Sequence, residues 1–365
     1  MLLKTLKLQY FKNYSDLDIH FSDGINCILG KNGMGKTNLL DAIYYLSMTR
    51  SALSNTDQQN ITYSQPYFSI NGNFKHEGKV LGVNSYFEKG KKKLMKVDGK
   101  EPEKLSDHIG RIPSVLTTPD DTEIIKEGSE IRRKLFDSVI AQFDHKYLKD
   151  LMELQHLLKQ RNTFLKQNEG RKNINRTLMA VYDEKLHPLN LAISNRRLDF
   201  AQIFESFFSE NYKQLFSGNE KPGITYKTDC LDEDFKQQFH QALEKDIILQ
   251  RTTVGCHKDD YIFTLNDRPV KKFGSQGQQK SFIIALKLAE YDFLKAKTGF
   301  NPLLLLDDIF DKLDDERISH LVTLLSNPER FPQLFITDAR EERSRAFFKN
   351  LKNVSFFEVS DGKII

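Results

Sequence analysis

Three cysteines in 365 residues, Cys27, Cys230 and Cys256, are too few and too widely spaced for a disulfide framework, and their spacing fits no zinc site. They read as small core residues. No apolar run approaches the roughly 20 residues that a membrane helix needs. The N-terminal MLLKTLKLQYFKNY alternates like a strand and lacks a signal peptide's apolar block. The expected location is the cytoplasm. The positive excess is slight, +4 over the whole chain, so net charge permits a nucleic-acid partner without demanding one. No internal repeat or low-complexity tract stands out.

What is present describes a globular protein, with 39% hydrophobic and 28% charged residues, and the length favours two lobes. Strands are expected at Leu2 to Tyr10, Asp18 to Phe21, Gly24 to Leu29, Tyr67 to Phe74, Val80 to Phe87 and Leu94 to Val97, with a helix over Asn38 to Met48. From about Asp121 the spacing turns helical, over Glu127 to Phe143, Lys146 to Gln167 and Asn175 to Tyr212, with a polar hairpin tip at Asn168 to Asn175. A further helix is expected near Asp232 to Leu249. An α/β pattern then resumes, with a helix over Gln278 to Ala296, strands at Leu303 to Leu306 and Gln333 to Thr337, and a closing hairpin through Asp361-Gly362. This order predicts an α/β nucleotide-binding lobe of mixed sheets and flanking helices, made from residues 1–115 and 250–365, with a mainly helical lobe, 116–249, inserted between its halves.

Gly30-Lys31-Asn32-Gly33-Met34-Gly35-Lys36-Thr37 satisfies G-x-x-x-x-G-K-[ST] between a predicted strand and a predicted helix, the context a phosphate-binding loop requires. Glycines let backbone N–H groups turn toward phosphates at a helix N-terminus. Lys36 supplies a point charge for the β and γ phosphates of ATP, and the Thr37 hydroxyl suits Mg²⁺. The four-leucine run Leu303 to Leu306 reads as a central parallel strand buried on both faces, and it delivers Asp307 and Asp308 at its carboxyl end. Asp307 is expected to hold Mg²⁺ and Asp308 to orient or deprotonate the attacking water. Either aspartate could instead cap the following helix. A second turn, Gly274-Ser275-Gln276-Gly277-Gln278, opens another helix with a second anion-facing end. One nucleotide cannot easily engage both ends from a single lobe, which points to a dimer that closes Ser275 and Gln278 over the partner's nucleotide.

With these motifs the chain resembles the ABC-type ATPases, whose signature loop reads S-x-G-Q, and within them the SMC-like branch of DNA repair. The agreement is co-linear: Phe11-Lys12-Asn13-Tyr14, the phosphate loop with Asn38-Leu39-Leu40-Asp41, Thr118-Pro119-Asp120, Arg132-Arg133, Gly255-Cys256-His257-Lys258, Ser275 to Lys280, and Leu305 through Asp314. The resemblance implies an ABC-type head with an inserted helical lobe and ATP-dependent homodimerisation. It also implies binding to gapped or single-strand/double-strand junction DNA, slow DNA-stimulated hydrolysis, and work with RecO and RecR in loading RecA and supporting the SOS response. It carries Lys12 to the nucleotide as well. Four departures stand out, the first being Cys256 where the family commonly has proline. Asp308 occupies a position where many ABC ATPases have Glu, Thr337-Asp338 stands where a switch histidine is customary, and Gln58, Gln59 and Gln65 are all candidates for the glutamine loop.

A hairpin crowded with Lys89, Lys91, Lys92, Lys93 and Lys96 could grip DNA phosphates, with Lys91, Lys92 and Lys93 as the core of the site, or be only a solvated edge. Arg132, Arg133, Lys134, Lys159 and Arg161 form a second basic region where intramolecular ion pairs compete. A nuclease would need a separate His/Asp metal cluster, and a transport subunit would lack the long helical insertion. The standing alternative to a DNA-binding ATPase is an adaptor that binds nucleotide without significant hydrolysis.

Overall fold

The computed structural model describes residues 1–169, 174–215, 220–311, 313–349 and 351–365. The chain divides into two compact units. One comprises Met1–Thr122, Glu210–Asn219 and Ser275–Ile365, and the other Glu123–Ser209 and Glu220–Gly274.

The first unit carries two sheets. In the antiparallel one, strands run in the order Tyr14–His20, Leu2–Phe11, Tyr67–His76, Lys79–Glu88 and Leu94–Val97. Alternation sets which face is buried: Leu6, Leu8, Phe68 and Ile70 point inward while Lys7, Gln9 and Asn73 stay outside. The second sheet orders Lys363–Ile364, Val354–Ser360, Gly24–Leu29, Gln333–Asp338, Leu303–Leu306 and Ser114–Thr117, parallel except for the first pair. The four leucines thus lie inside, paired on both edges, and all four are buried. A strand with no polar face needs cover on both sides.

Helix Lys36–Met48 supplies part of that cover. Its Leu39, Leu40, Ile43 and Leu46 join one core with Leu8, Phe68 and Ile70 of the antiparallel sheet and Leu303, Leu305 and Phe335 of the parallel one. Each such leucine contributes about 1.5–3 kcal/mol of burial, so the helix that begins at the phosphate loop is locked along its length. The loop is therefore carried on rigid elements.

The second unit packs helices Ser129–Ala141, His145–Gln167 and the greater part of Arg176–Leu215 with a small sheet ordered Arg268–Pro269, Asp260–Leu265 and Pro222–Lys227. Phe136 stands at its centre, with ring centroids 5.5 Å from both Phe200 and Phe204 and 4.2 Å from Tyr261. The helix expected over Asp232 to Leu249 is two, Phe235–Gln241 and Leu243–Leu249, joined at Ala242. Of the hairpin tip expected at Asn168 to Asn175, residues 170–173 lie outside the described residues.

Ion pairs and hydrogen bonds engage the arginines of the second basic region, while Lys134 and Lys159 are exposed. Arg161, with no exposed surface, binds Asp183 (3.0 Å) and Asp246 (2.7 Å). Arg132 makes a bidentate pair with Asp260 at 2.7 and 3.0 Å, and Arg133 donates to the Asp259 carbonyl. These guanidinium groups are spent inside the unit, because a buried charge left unpaired costs several kcal/mol (on the order of 3–5). His257 is structural as well. Its ring bonds the Thr252 carbonyl at 3.0 Å, and burial pushes its pKa down to about 4, so the imidazole stays neutral and its Nε2–H donates.

Candidate nucleotide site

Between strand Gly24–Leu29 and helix Lys36–Met48 the backbone turns through Gly30, Gly33 and Gly35 at φ +150°, +84° and +115°. Two of these glycines are required by their neighbours as well as by φ. A Cβ on Gly30 would overlap the Val359 carbonyl, and one on Gly35 would overlap the Asn13 side-chain amide. Lys36 is 4% exposed, and its ammonium donates to the carbonyls of Gly30 (2.8 Å) and Lys31 (3.1 Å), curling the loop around the charge.

The carboxyl end of the four-leucine strand meets this loop across the intervening strand Gln333–Asp338. Thr37 Oγ1 donates to Asp307 Oδ2 at 2.8 Å, and Thr337 Oγ1 donates to Asp307 Oδ1 at 2.5 Å. Thr337 Oγ1 also accepts from the Asp308 backbone N–H at 2.9 Å, so one hydroxyl fixes both aspartates. Burial pushes the Asp307 carboxyl up, and hydrogen bonds from Thr337 and Thr37 and the charges of Lys36 and Lys280 pull it back. Asp308 is raised by burial first and by the neighbouring Asp307 second. Its backbone sits at φ +44°, a left-handed conformation that Asp and Asn tolerate better than most residues.

The donor set is all hard oxygen. The Thr37 hydroxyl and the Asp307 carboxylate suit a small divalent cation that shares its shell with phosphate oxygens and water. Among the described residues no group of three or more His, Cys, Asp or Glu could hold a metal by itself.

Ser275 and Gln278 face each other. Gln278 N–H donates to Ser275 Oγ (3.2 Å) and Ser275 N–H donates to Gln278 Oε1 (2.8 Å), a capping box that opens helix Gln276–Thr298. Ser275 and Gln276 are both exposed. A Cβ on Gly277 would meet only the flexible end of Arg317, whose Nη1 would lie 2.5 Å away. Asp314 caps helix Asp315–Leu325 by accepting from Arg317 N–H at 2.9 Å.

Three expected positions have other engagements. Lys12 is in an ion pair with the wholly buried Asp41 at 2.6 Å, and Asp41 also accepts from Ser51 and the Ala52 N–H. A nucleotide would have to compete for that ammonium. Lys93 donates to the Thr49 carbonyl (2.6 Å) and Asp57 (2.9 Å) and is mostly covered, unlike Lys91 and Lys92, which are exposed. Gln59 accepts from the Asn55 and Thr56 N–H groups and so spends its amide on a local cap.

Three further residues belong to the site. Asn13 donates to the Met34 carbonyl (2.9 Å) and accepts from Asn38 (2.8 Å), bracing the loop from behind, and the Tyr14 hydroxyl donates to the Gly35 carbonyl at 2.9 Å. Lys280 is buried and close enough to Asp307 to stabilise its charge. Asn13, Tyr14 and Lys280 all fall inside runs that already resemble the ABC-type ATPases, yet no spacing rule marks what they touch.

A phosphate loop on an inner strand, an aspartate strand one position removed and a capped second glycine turn make up the architecture of an ABC-type ATPase head. The same fold is found in an Smc head bound to the C-winged helix domain of ScpA, with TM-score 0.58 and 16% identity over 100% of this chain and 97% of that one. A sequence model of the RecF/RecN/SMC N-terminal domain family matches residues 2–362. The DNA replication and repair protein RecF of Cytophaga hutchinsonii is 47% identical over 365 residues, 100% of this chain and 96% of its own, and that of Flavobacterium johnsoniae is 40% identical over 350, 96% and 97%. A solved structure of the recombination mediator protein RecF with ATPrS, in the RecFOR pathway, superposes with TM-score 0.89 at 29% identity, covering 99% of this chain and 97% of that one. The chain belongs to the RecF/RecN/SMC family and, within it, to the RecF proteins. Among the described residues no helix is long and apolar enough to cross a membrane.

Proposed function

We propose that the chain is a cytoplasmic, ATP-dependent DNA-binding protein of recombinational repair and replication-fork maintenance. ATP drives two copies together on gapped or junction DNA, and slow, DNA-stimulated hydrolysis releases them. The observation that carries this reading is the Thr37–Asp307–Thr337 arrangement at the mouth of the phosphate loop. The RecF relatives, one solved with ATPrS and one with ATP, lend it support.

Lys36 exchanges its bonds to the Gly30 and Lys31 carbonyls for β- and γ-phosphate oxygens, and the loop N–H groups complete the cradle. Thr37 and Asp307 would hold Mg²⁺, which supplies charge neutralisation at the phosphates when bound. Asp308 positions the attacking water, with its main chain pinned by Thr337. The Ser275 end of helix Gln276–Thr298 presents its hydroxyl, N–H groups and positive dipole end to the γ-phosphate held by the second copy, with Gln278 beside it. In this reading RecR and RecO are its partners, which the solved structures of RecF in the RecFOR pathway support, with RecA loading and the SOS response downstream.

Thr337→Val keeps the side-chain shape and removes the hydroxyl that fixes Asp307. Loss of a hydrogen bond to a charged group costs about 1.5–3 kcal/mol, so Mg²⁺-dependent ATP affinity should fall at least about tenfold while Mg²⁺-free binding changes little. Equilibrium titration with a fluorescent ATP analogue reads both. Equal affinity with Mg²⁺ would mean that Thr37 alone orients Asp307.

The DNA reading is tested on the hairpin. Lys91→Glu with Lys92→Glu should weaken DNA binding and flatten its salt dependence by roughly 0.9 in log–log slope for each phosphate that the hairpin ceases to neutralise. Unchanged affinity would move the DNA site off this hairpin.

A further inference from the structure

An aspartate stands at the mouth of the phosphate loop, in the place where a switch histidine is customary. Strand Gln333–Asp338 runs parallel to Gly24–Leu29 with Asp338 opposite Leu29, so Asp338 lies where that strand enters the loop at Gly30. It is 4% exposed. Its charge is felt on both sides of the site. The Cys27 thiol is raised by burial first and by Asp338 second. Asp308 is raised by burial, by Asp307 and, more weakly, by Asp338, with Lys36 opposing.

Among the described residues one cation pairs with Asp338. Arg343, on helix Glu341–Phe348, donates from Nη2 to Asp338 Oδ1 (3.0 Å) and Oδ2 (3.1 Å). The Ser344 hydroxyl donates to Oδ2 (2.6 Å) and the Arg340 N–H to Oδ1 (3.0 Å), so three residues fix the carboxylate and Arg343 alone neutralises it. Arg343 makes no other hydrogen bond among the described residues, and its Nε is buried without an acceptor. Its guanidinium lies 5.8 Å from the Phe310 ring centroid, and Phe310 packs against Phe347 and Phe348. The nearby Arg345 is engaged elsewhere, by Glu341 (2.7 Å) and Glu358 (2.6 Å).

The need for that cation follows from the charges around the phosphates. Asp307, Asp308 and Asp338 stand at the loop mouth against Lys36 and Lys280. A triphosphate adds further negative charge that Mg²⁺ offsets only in part. In a partly buried site an uncompensated charge acts over several ångströms with little screening. A bare carboxylate at the switch position would therefore oppose a γ-phosphate to which a histidine could donate a hydrogen bond. An arginine stays protonated at any working pH, so its pairing with Asp338 removes that opposition.

We propose that Arg343 is a positioning residue of the nucleotide site: it holds and neutralises Asp338 beside the phosphate loop, which lets an aspartate occupy the switch position without repelling the triphosphate. The inference rests on the ATP reading above and deepens it by assigning how this chain does without a switch histidine. Arg343 acts through Asp338, and the two are functional only as a pair. Asp338 without its cation is harmful to binding, whereas the loss of both charges together is tolerated.

The test uses the full chain and calorimetric titration with MgATP at one pH, with circular dichroism to confirm that each variant folds. Arg343→Met keeps an apolar stem against Phe310 but frees the Asp338 charge, and should lower MgATP affinity at least about tenfold, the effect of one uncompensated charge in a weakly screened site. Arg343→Lys keeps the charge and should retain most of the affinity. Asp338→Asn combined with Arg343→Met should return affinity to within about threefold of the parent, because the two changes act on one ion pair and do not add. A purely structural role for Arg343 would not give that recovery, since the double variant lacks the guanidinium just as the single one does. Two results would overturn the inference: an Arg343→Met chain that binds MgATP within about twofold of the parent, or a double variant as weak as Arg343→Met. A parent that fails to bind MgATP would remove the nucleotide reading and this assignment together; a parent that binds it no better than Arg343→Met does removes this assignment alone.

Discussion

Lys36→Ala is expected to lower ATP affinity at least about a hundredfold and to abolish any ATP-dependent association of the chain. Its ammonium is enclosed by the loop and bonded only to main-chain carbonyls that the loop itself provides. Each charge-assisted hydrogen bond it transfers to phosphate contributes about 1.5–3 kcal/mol, and two of them exceed the roughly 2.8 kcal/mol that corresponds to a hundredfold change in affinity. Isothermal titration of the variant with MgATP reads the loss, and circular dichroism confirms that the fold survives. An affinity within about threefold of the parent would remove the phosphate loop from its assigned role.

The second large effect is on turnover. Asp308→Asn should cut ATP hydrolysis by at least about a hundredfold, the usual contribution of a positioned general base, and should leave ATP binding intact, so that ATP-bound dimers persist on DNA. The substitution is the least disruptive available, because Asn accepts the φ of +44° that this position demands and preserves the backbone bond to Thr337. Steady-state phosphate release and gel-shift lifetimes measure the two halves of the expectation. Unchanged turnover would show that Asp308 does not activate the water. A parent chain with no turnover at all would favour the adaptor that binds nucleotide without significant hydrolysis.

Much of this architecture was legible because it is written in local patterns. The four-leucine run has no polar face, so it had to be an inner strand, and it lies between two parallel neighbours. The glycine spacing of the phosphate loop and the strand and helix that bracket it are equally local. The long helices declared themselves by periodicity, and their ends lie within a few residues of expectation, as at His145–Gln167.

The parts that escaped share a physical cause. The role of Thr337 depends on Asp307, thirty positions away, and nothing in a buried strand distinguishes one threonine from another by spacing. Lys93 looks like its neighbours in the hairpin until the chain folds and Asp57 takes its charge, and Lys12 is taken by Asp41 in the same way. The break at Ala242 left no glycine or proline to mark it, so two short helices read as one. Pairing between distant side chains is set by topology, which periodicity does not encode.

The central claim is that one triphosphate joins two copies, with Lys36 of one and the Ser275 helix end of the other on either side of it. Sedimentation velocity of the chain with and without MgATP, beside the Ser275→Arg variant, tests it most directly. The account predicts that ATP doubles the mass of the parent and leaves the variant a monomer that still binds ATP. A parent whose mass ignores ATP, or a Ser275→Arg variant that dimerises as readily as the parent, would contradict it.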